Sequence, residues 1–198
     1  MVTAPAAWVV EAAEPGAVVR WRGGTVEIDT AAGLTLWYRE KLTGPVGITF
    51  EARMVKAGGR NDRVSDLNAF WMATDPAVPG GSPVGRRGGT FEEYDTLRTY
   101  YVGIGGNGNT STRLRRYVGR AGERPLLREH DLSHPAALLR PNRWTRVRLL
   151  ADGGRIAVER DGRRVFAMTD PRPYASGWFG LRTTWSHLEV RNLRLIRP

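Results

Sequence analysis

The sequence contains no cysteine, which excludes a disulfide framework, an iron–sulfur cluster and a thiol nucleophile. It also has no stretch near the ~18–20 consecutive apolar residues of a membrane-spanning helix. Its first ten residues lack the basic segment followed by an apolar one that marks a secretory signal peptide. We therefore expect no membrane partner. The compartment is left open between the cytoplasm and secretion with the signal already removed.

Lysine is scarce as well, because only Lys41 and Lys56 occur among the 30 basic residues and the other 28 are arginine. The formal net charge is +10, and its distribution is uneven: residues 1–98 carry 11 − 12 = −1, and residues 99–198 carry 19 − 8 = +11. One-sided positive charge is typical of an anion-binding face, although solvated arginine on sheet surfaces is the plainer explanation. No recognition helix or aromatic ribonucleoprotein motif accompanies the charge, so we expect no nucleic-acid partner.

Alternation of apolar and polar residues recurs along the chain, and no window of a dozen residues has a 3.6-residue apolar stripe. Residues 48–54 show it most clearly, because every second side chain there is apolar. Further strands are predicted at 18–21, 25–29, 34–38, 67–73, 96–102, 109–117, 144–150, 155–160, 164–168, 179–184 and 188–196. With 12 prolines and 24 glycines, the pattern predicts an all-β jelly roll of two antiparallel sheets over residues 8–198. Residues 1–7 are expected to be a flexible end, and 78–90 and 120–141 to be surface loops beside any binding cleft.

Two motifs that suggest cofactors do not fit their surroundings. Gly103, Gly105 and Gly108 match a dinucleotide-binding pattern, but strand character follows where a helix would have to begin, so we interpret them as a turn. His130 and His134 lack a third metal ligand at a suitable spacing. We expect no cofactor, and a calcium ion near the turns would be structural.

The predicted strands at 96–102 and 109–117 carry the first polar cluster. Arg98 and Tyr100 share one face of their strand, and Arg113, Arg115 and Tyr117 share one face of theirs. Paired, these strands would present guanidinium groups and phenols together. Arginine binds carboxylates bidentately and aromatic rings cover the apolar face of a sugar, so the surface suits a carboxylated sugar. Stacking of arginine on tyrosine across an exposed sheet explains the same residues equally well.

Two more polar clusters are candidates for a site. Residues 60–68 contain more hydrogen-bonding groups than a turn requires, and the alternative is a loop held by internal Arg–Asp pairs. Residues 182–187 place His187 close to Trp185 in sequence. A histidine can serve as a general acid or base, or it can be a hydrogen-bonded structural residue.

These residues resemble the YesU-like group of the concanavalin A-like lectin/glucanase superfamily, which occurs in bacterial pectin and rhamnogalacturonan utilisation. The resemblance is carried by SDLNAFWMATDP at 65–76, LRTYYVGIGGN at 97–107 and GWFGLRTTWSH at 177–187. It implies a two-sheet jelly roll with a concave glycan-binding face. It does not transfer any established catalytic motif.

The superfamily contains lectins, glycoside hydrolases and polysaccharide lyases, so the fold alone does not select a reaction. The E-x-D-x-x-E motif of its retaining hydrolases is absent here. Lyases with this fold use Arg, Asn or Gln, His and Tyr, the residue types of the three clusters. Our first hypothesis is therefore a lyase that cleaves a uronic-acid-containing glycan by β-elimination.

In this hypothesis Arg98 neutralises the uronate carboxylate, His187 or Tyr100 removes the C5 proton, and Tyr100 protonates the departing oxygen. The expected substrate-binding residues are Arg60, Asp62, Asp66, Asn68, Trp71, Tyr101, Asn107, Arg113, Arg115, Arg182 and Trp185. The expected partner is an acidic oligo- or polysaccharide. A non-catalytic acidic-glycan-binding module is the second hypothesis, and a hydrolase with Asp62 and Asp66 as its acids is the third.

Overall fold

A computed structural model of the chain describes residues 4–197. Thirteen strands account for most of this range, which confirms the prediction of an all-β fold. The strands are β1 (Trp8–Ala12), β2 (Val18–Arg22), β3 (Thr25–Tyr38), β4 (Leu42–Thr43), β5 (Val46–Met54), β6 (Leu67–Thr74), β7 (Arg98–Gly105), β8 (Ser111–Val118), β9 (Leu126–Leu132), β10 (Thr145–Asp152), β11 (Arg155–Arg160), β12 (Arg163–Thr169) and β13 (Ser176–Ile196). The helical segments are the four-residue α1 (Gly106–Asn109) and 3₁₀ turns at Pro5–Ala7, Pro79–Gly81, Glu92–Tyr94 and Pro135–Ala137. Among the described residues, no helix is long and apolar enough to cross a membrane.

Two long strands, β3 and β13, each contribute to both sheets of a sandwich. The first sheet runs β1, the second half of β3, the first half of β13, β6, β7, β8 and β9. The second sheet runs β2, the first half of β3, the second half of β13, β5, β10, β11 and β12. The register of β13 against β3 shifts between Thr184 and Ser186, so the bend in β13 lies at Trp185. The strands predicted separately at 25–29 and 34–38, and at 179–184 and 188–196, are therefore the two halves of β3 and of β13.

The hydrophobic core fills the space between the sheets. In β5, Ile48, Phe50, Ala52 and Met54 are all buried, as their alternation predicts, and the Phe50 ring lies 6.3 Å from that of Phe179 in β13. Each of the larger side chains, Ile48, Phe50 and Met54, contributes about 1.5–3 kcal/mol by its removal from water. This core fixes which face of every strand points outward.

Two predicted irregular segments differ in the structure. The segment 120–141 contains β9, an edge strand whose side chains are mostly exposed, so its sequence has no apolar alternation to reveal it. The segment 78–90 is a loop, but it belongs to a longer covering segment, 75–97, that packs against the outer face of the first sheet. The flexible end predicted at 1–7 lies partly outside the described residues, and Pro5–Ala7 form a 3₁₀ turn.

Candidate functional site

Two rows of residues run across the strands on the outer face of the first sheet. Within each row, successive residues lie directly opposite each other on neighbouring strands. The first row is Glu11, Thr35, Arg182, Asn68, Gly103, Arg113 and Asp131. The second row is Val9, Trp37, Gly180, Phe70, Tyr101 and Arg115. Residues directly opposite on neighbouring strands share a face, so polar and aromatic groups meet on this surface.

The covering segment 75–97 closes one half of this face, and Glu11 is its anchor. The buried carboxylate of Glu11 accepts hydrogen bonds from Trp37 Nε1 at 2.9 Å and from the Tyr94 hydroxyl at 2.7 Å. It also accepts the backbone N–H groups of Arg86 and Arg87 at 2.7 and 3.1 Å. Burial, with the neighbouring carboxylate of Glu11, raises the pKa of Tyr94. All of these groups therefore satisfy one another beneath the segment.

Arg182, an expected substrate-binding residue, is enclosed under the same segment. It is 2 % exposed, and its Nη1 donates to Thr35 Oγ1 at 2.9 Å and to the carbonyl of Gly89 at 3.0 Å. A Cβ at Gly33 would lie 2.1 Å from that carbonyl oxygen, so only glycine permits so close an approach. The structure thus places Arg182 in a packed interior and not on the open part of the face.

The open part begins beyond the covering segment, and we call it the Asp66–Trp185 surface: the exposed or half-buried Arg63, Asp66, Asn107 and Trp185, with the buried Asn68 and Tyr101 beneath them. The Tyr101 ring also lies 5.8 Å from that of Phe91, so Tyr101 adjoins the covering segment. The backbone N–H of Asp66 donates to the carbonyl of Gly105 at 3.1 Å. Asn68 Nδ2 donates to Asp66 Oδ1 at 3.5 Å. A Cβ at Gly103 would lie 2.9 Å from the Tyr101 hydroxyl and 3.2 Å from Asn68 Oδ1, so these two polar atoms lie together over Gly103.

Trp185 and Arg63 form the outer wall of this surface. The Trp185 side chain is 46 % exposed, and the Arg63 guanidinium carbon lies 5.0 Å from the centre of its ring. A Cβ at Gly108 would lie 3.0 Å from Arg63 Nη2, so Arg63 bridges Trp185 and the α1 turn. Asn107, in that turn, donates through Nδ2 to Ser111 Oγ at 3.3 Å. An aromatic plane and several hydrogen-bonding groups therefore converge here.

Strained backbone marks the same surface. Asp66, Asn107 and Trp185 all have left-handed backbone, with φ values of 63°, 54° and 43°. Asp and Asn adopt this conformation more readily than other residues, so the strain lies at Trp185, where it costs about 1–3 kcal/mol. The same backbone conformation also occurs outside this surface, for example at Met72. In addition, the buried Asn68 Oδ1 has no hydrogen-bond partner among the described residues. Strain and an unsatisfied buried acceptor are both typical of functional sites.

Tyr101 is held as a neutral phenol. Burial is the largest cause that raises its pKa well above the usual value, and the nearby Tyr117 and Asp66 raise it further. Arg115 lies opposite Tyr101 in the β7–β8 pairing, and its positive charge offsets part of this rise in the pKa of Tyr101. At neutral pH the hydroxyl of Tyr101 therefore acts as a hydrogen-bond donor or acceptor.

The neighbouring arginines are partly committed to protein partners. Arg113 forms a bidentate ion pair with Asp131, with Nε to Oδ1 at 2.8 Å and Nη2 to Oδ2 at 3.1 Å. Arg115 Nη1 donates to the carbonyl of Arg124, and burial is the main cause that lowers the pKa of Arg115. Arg115 and Tyr101 nevertheless remain side by side at the edge of the Asp66–Trp185 surface.

The expected sharing of one face by Arg98, Tyr100 and the arginines of β8 is wrong. Tyr100 lies opposite Arg116, whereas Arg115 lies opposite Tyr101. Tyr100 is fully buried between the sheets, and its hydroxyl donates to Asp170 at 2.7 Å. Burial and this carboxylate raise the pKa of Tyr100.

Two further expected residues share the strand faces of Tyr100. Trp71 is fully buried, with its ring 5.5 Å from that of Tyr100. Arg98 is exposed at the start of β7. The structure therefore brings none of these three residues to the Asp66–Trp185 surface.

His187 lies on the outer face of the second sheet. Its Nδ1 is 2.8 Å from Asp62 Oδ1, and its Nε2 is 3.1 Å from Glu27 Oε1. Burial alone would raise the pKa of Asp62, but the N–H groups of Ala57 and Gly59 and the His187 ring outweigh it, so this pKa is lowered. Arg60 is exposed in the same loop. The three residues expected to be catalytic thus lie apart: Tyr100 in the core, Arg98 at a strand end and His187 on the other sheet.

No group of three His, Cys, Asp or Glu side chains within residues 4–197 is arranged to hold a metal ion. His130 is buried in β9, where its ring packs against Phe166 at 5.5 Å and its Nε2 lies 3.3 Å from the carbonyl oxygen of Ala167. This contact joins the edges of the two sheets, so His130 has a structural role.

Sequence reasoning selected five of the six residues of the Asp66–Trp185 surface and omitted Arg63. Arg63 belongs to the polar cluster at 60–68. The composition of this segment suggested a site there, but it gave no reason to choose Arg63 over Arg60. Its packing against Trp185 depends on the bend in β13, which no local pattern reveals.

The fold places the chain among jelly-roll proteins of the lectin type. Over 100 % of its length it resembles a protein of unknown function with a galectin-like fold from Bacillus subtilis, at 13 % identity, 94 % coverage of that chain and a TM-score of 0.69. It also resembles the carbohydrate-binding module CBM66 from Bacillus subtilis, at 10 % identity, 96 % and 94 % coverage and a TM-score of 0.62. A third similar structure is the exoplasmic/lumenal domain of VIP36 in its Ca²⁺/Man2-bound form, at 13 % identity, 97 % and 81 % coverage and a TM-score of 0.64.

At the level of sequence, residues 28–193 match the family described as Domain of unknown function (DUF6250), and the chain belongs to this family. No curated protein matches the chain.

Proposed function

We propose that the protein binds a glycan at the Asp66–Trp185 surface. The observation that carries this proposal is Trp185, held half-exposed on strained backbone and packed against Arg63, which links it to the polar α1 turn. Of the large hydrophobic side chains that are exposed among the described residues, Val10, Leu127 and Trp185, only Trp185 is aromatic. The likeness to a carbohydrate-binding module and to a mannose-bound lumenal domain supports the same class of ligand.

The chemistry of the surface matches that of a sugar ring. The flat face of Trp185 covers the apolar C–H face of a pyranose, and Asp66, Asn68 and Asn107 supply acceptors and donors for its hydroxyls. The neutral phenol of Tyr101 adds a further donor. Arg63 has no ion-pair partner among the described residues, and together with Arg115 it gives the site a preference for a carboxylated sugar.

The segments on which the resemblance to the YesU-like group rests support the proposal. Those segments, 65–76, 97–107 and 177–187, contain Asp66, Asn68, Tyr101, Asn107 and Trp185. Segments far apart in the sequence thus converge on one surface, and we include membership of that group in the proposal.

The second candidate function is β-elimination of a uronate at the same surface. The pair formed by Tyr101 and Arg115, beside Asn68, favours it, because these are the residue types that neutralise a carboxylate and move a proton. We place it after simple binding because burial raises the pKa of Tyr101, and a neutral phenol is a weak base.

The test is calorimetric titration of the protein with oligogalacturonates, rhamnogalacturonan oligosaccharides and neutral manno-oligosaccharides. We expect saturable binding to at least one acidic oligosaccharide, and we expect Trp185→Ala to weaken it by about tenfold or more, or about 1.4 kcal/mol. Leu127→Ala is the matched control, since Leu127 is 49 % exposed and lies on β9. It should leave binding unchanged.

Other outcomes separate the hypotheses. Binding of no oligosaccharide, or equal binding by the wild type and Trp185→Ala, would contradict the proposed site. Ultraviolet absorbance from an unsaturated product would establish the lyase, and loss of that absorbance in Tyr101→Phe would place its chemistry here. Release of reducing ends without absorbance would indicate a hydrolase instead.

A further inference from the structure

A second concave region lies between the sheets, away from the Asp66–Trp185 surface. It has a volume of about 770 Å³ and is bounded by the ends of β5, β9 and β11, the starts of β6, β10 and β12, and the connection from β9 to β10. None of the six residues of the Asp66–Trp185 surface lines it. Its volume is within the range of small-molecule sites, roughly 300–1,000 Å³.

Arginine dominates the walls of this cavity. Its charged lining consists of Arg53, Arg140, Arg143, Arg160, Arg163 and Arg164, with Asp161 as the one carboxylate. Asp161 already accepts the Thr145 hydroxyl at 3.0 Å and the N–H of Arg146 at 2.8 Å. The lining therefore has a large excess of positive charge.

Protein carboxylates neutralise only two of the six arginines. Arg53 pairs with Glu189 at 2.5 Å, and Arg143 lies 3.9 Å from Asp161. Across residues 4–197, no carboxylate lies within 4.0 Å of the other four guanidinium groups, which belong to Arg140, Arg160, Arg163 and Arg164. No protein carboxylate therefore neutralises these four charges, although the Arg160 guanidinium donates to two backbone carbonyls.

Without a bound anion, the positive charges of these arginines repel one another and destabilise the folded state. Arg160 and Arg163 lie directly opposite each other in the β11–β12 register, and like charges in that position destabilise a sheet. Burial lowers the pKa of Arg160, and the nearby Arg143 and Arg140 lower it further.

Arg160 is also held in place, because its guanidinium donates to the carbonyls of Ala136 and Ala137. Its charge is therefore fixed at the cavity wall and cannot turn away from the neighbouring arginines. Leu132, Leu138 and Val165 supply apolar wall around these charges.

We propose that this arginine-lined cavity binds a small molecule that carries two or more anionic groups, such as carboxylates, sulfates or phosphates. Arginines without carboxylate partners around one partly open cavity match several negative charges held close together. A nucleic acid fits less well, since it requires an extended basic surface and aromatic platforms, and the cavity lining contains His134 but no Phe, Tyr or Trp. The proposal does not depend on glycan binding at the Asp66–Trp185 surface.

The experiment titrates the full chain with tripolyphosphate, a sulfated disaccharide and digalacturonate in separate arms, at about 0.15 M ionic strength. Acetate at the same ionic strength is the singly charged control. We expect saturable one-to-one binding of at least one multiply charged probe and no saturable binding of acetate. The responsive arm identifies the type of anionic group.

Three charge variants test where the probe binds. Arg163→Gln with Arg164→Gln removes two charges from the start of β12, and Arg140→Gln removes one from a different segment. Arg22→Gln with Arg194→Gln is the matched control, because both arginines are exposed and neither lines the cavity. The first double variant should bind the probe at least about tenfold more weakly and Arg140→Gln severalfold more weakly, whereas the control should change binding by less than about twofold.

Stability provides a second readout that does not require the ligand. Removing like charges from the cavity should leave the unfolding midpoint of the first double variant equal to or higher than that of the wild type. A probe that binds should raise the wild-type midpoint more than that of the variant. The proposal is overturned if no multiply charged probe saturates, or if the control weakens binding as much as the cavity variants. If Trp185→Ala lost glycan binding but still bound the anionic probe as the wild type does, the proposal for the arginine-lined cavity would stand.

Discussion

The covered and open halves of the first sheet's outer face contain the same kinds of residue and differ in their exposure to solvent. Buried polar atoms without a partner among the described residues occur in both, at Arg182 Nε and Arg87 Nη1 in the covered half and at Asn68 Oδ1 in the open half. In the covered half, the carboxylate of Glu11 accepts four hydrogen bonds and Arg182 is packed beneath Phe91 and Tyr94. In the open half, Asn68 Oδ1 has no partner among the described residues and Trp185 is half-exposed. Residue type alone therefore does not identify the site on this face.

Arginine and aromatic residues are thus expected to stabilise the fold in the covered half and to bind ligand at the proposed site in the open half. Side chains that satisfy one another contribute to the free energy of unfolding, and a ligand would have to displace them. Side chains held on strained backbone with unpaired atoms cost stability and gain partners only when a ligand arrives. Variants in the covered half should accordingly change stability, and variants in the open half should change binding.

Glu11→Ala should have the largest effect. It leaves Trp37 Nε1, the Tyr94 hydroxyl and two backbone N–H groups buried without their acceptor. We expect a loss of about 3–5 kcal/mol in the free energy of unfolding, measured with chemical denaturant. Glu11→Gln, which keeps the shape and one acceptor, should lose less. A loss below about 1 kcal/mol in Glu11→Ala would show that the covering segment is not anchored by this carboxylate.

Arg182→Met should have the next largest effect. Methionine retains much of the packing against Tyr94 but removes the donors to Thr35 and to the carbonyl of Gly89. We expect a loss of about 1–3 kcal/mol in the free energy of unfolding and no change in glycan affinity of the folded protein. A fall in affinity of tenfold at unchanged stability would instead return Arg182 to the binding site.

Much of the fold could be predicted from the sequence because sheet alternation is a local signal. The alternation at 48–54 identified β5, and the turns at 152–154 and 161–162 located the hairpins of β10, β11 and β12. The sequence did not reveal that β3 and β13 pass through both sheets. A bend such as that at Trp185 looks like a strand end, since the alternation changes phase there.

The site was harder to predict than the fold, because side-chain orientation depends on register. Tyr100 and Tyr101 are adjacent in sequence, and only the pairing of β7 with β8 decides that Tyr101 faces outward. Similarly, nothing local shows that the 75–97 segment covers Arg182, or that the β9–β10 connection and β12 gather arginines around one cavity. These contacts join segments that are distant in the sequence. The amino-acid composition therefore showed an excess of positive charge but not the contacts themselves.

The smallest expected effect is a loosening of the covering segment in acid. Glu93 accepts the N–H groups of Gly88 and Thr90 at 3.2 and 2.9 Å, and hydrogen bonding, first of all from the Thr90 side chain, lowers its pKa below the ordinary 4.5. A carboxyl whose pKa is depressed by folding stabilises the folded state above its unfolded pKa and loses that contribution as the pH falls through its folded pKa.

Hydrogen exchange of the amides in 86–94 should therefore be unchanged between pH 7 and about pH 5, after correction for intrinsic rates. Below about pH 4.5 it should accelerate by about threefold or less, because one exposed carboxylate contributes little. Glu93→Gln should remove most of this pH dependence, whereas Glu92→Gln should keep it, because the exposed Glu92 side chain makes no hydrogen bond to the described residues of the segment. Equal acceleration in both variants would mean that acid acts on the whole sandwich, and the covered half would then have no local stability of its own.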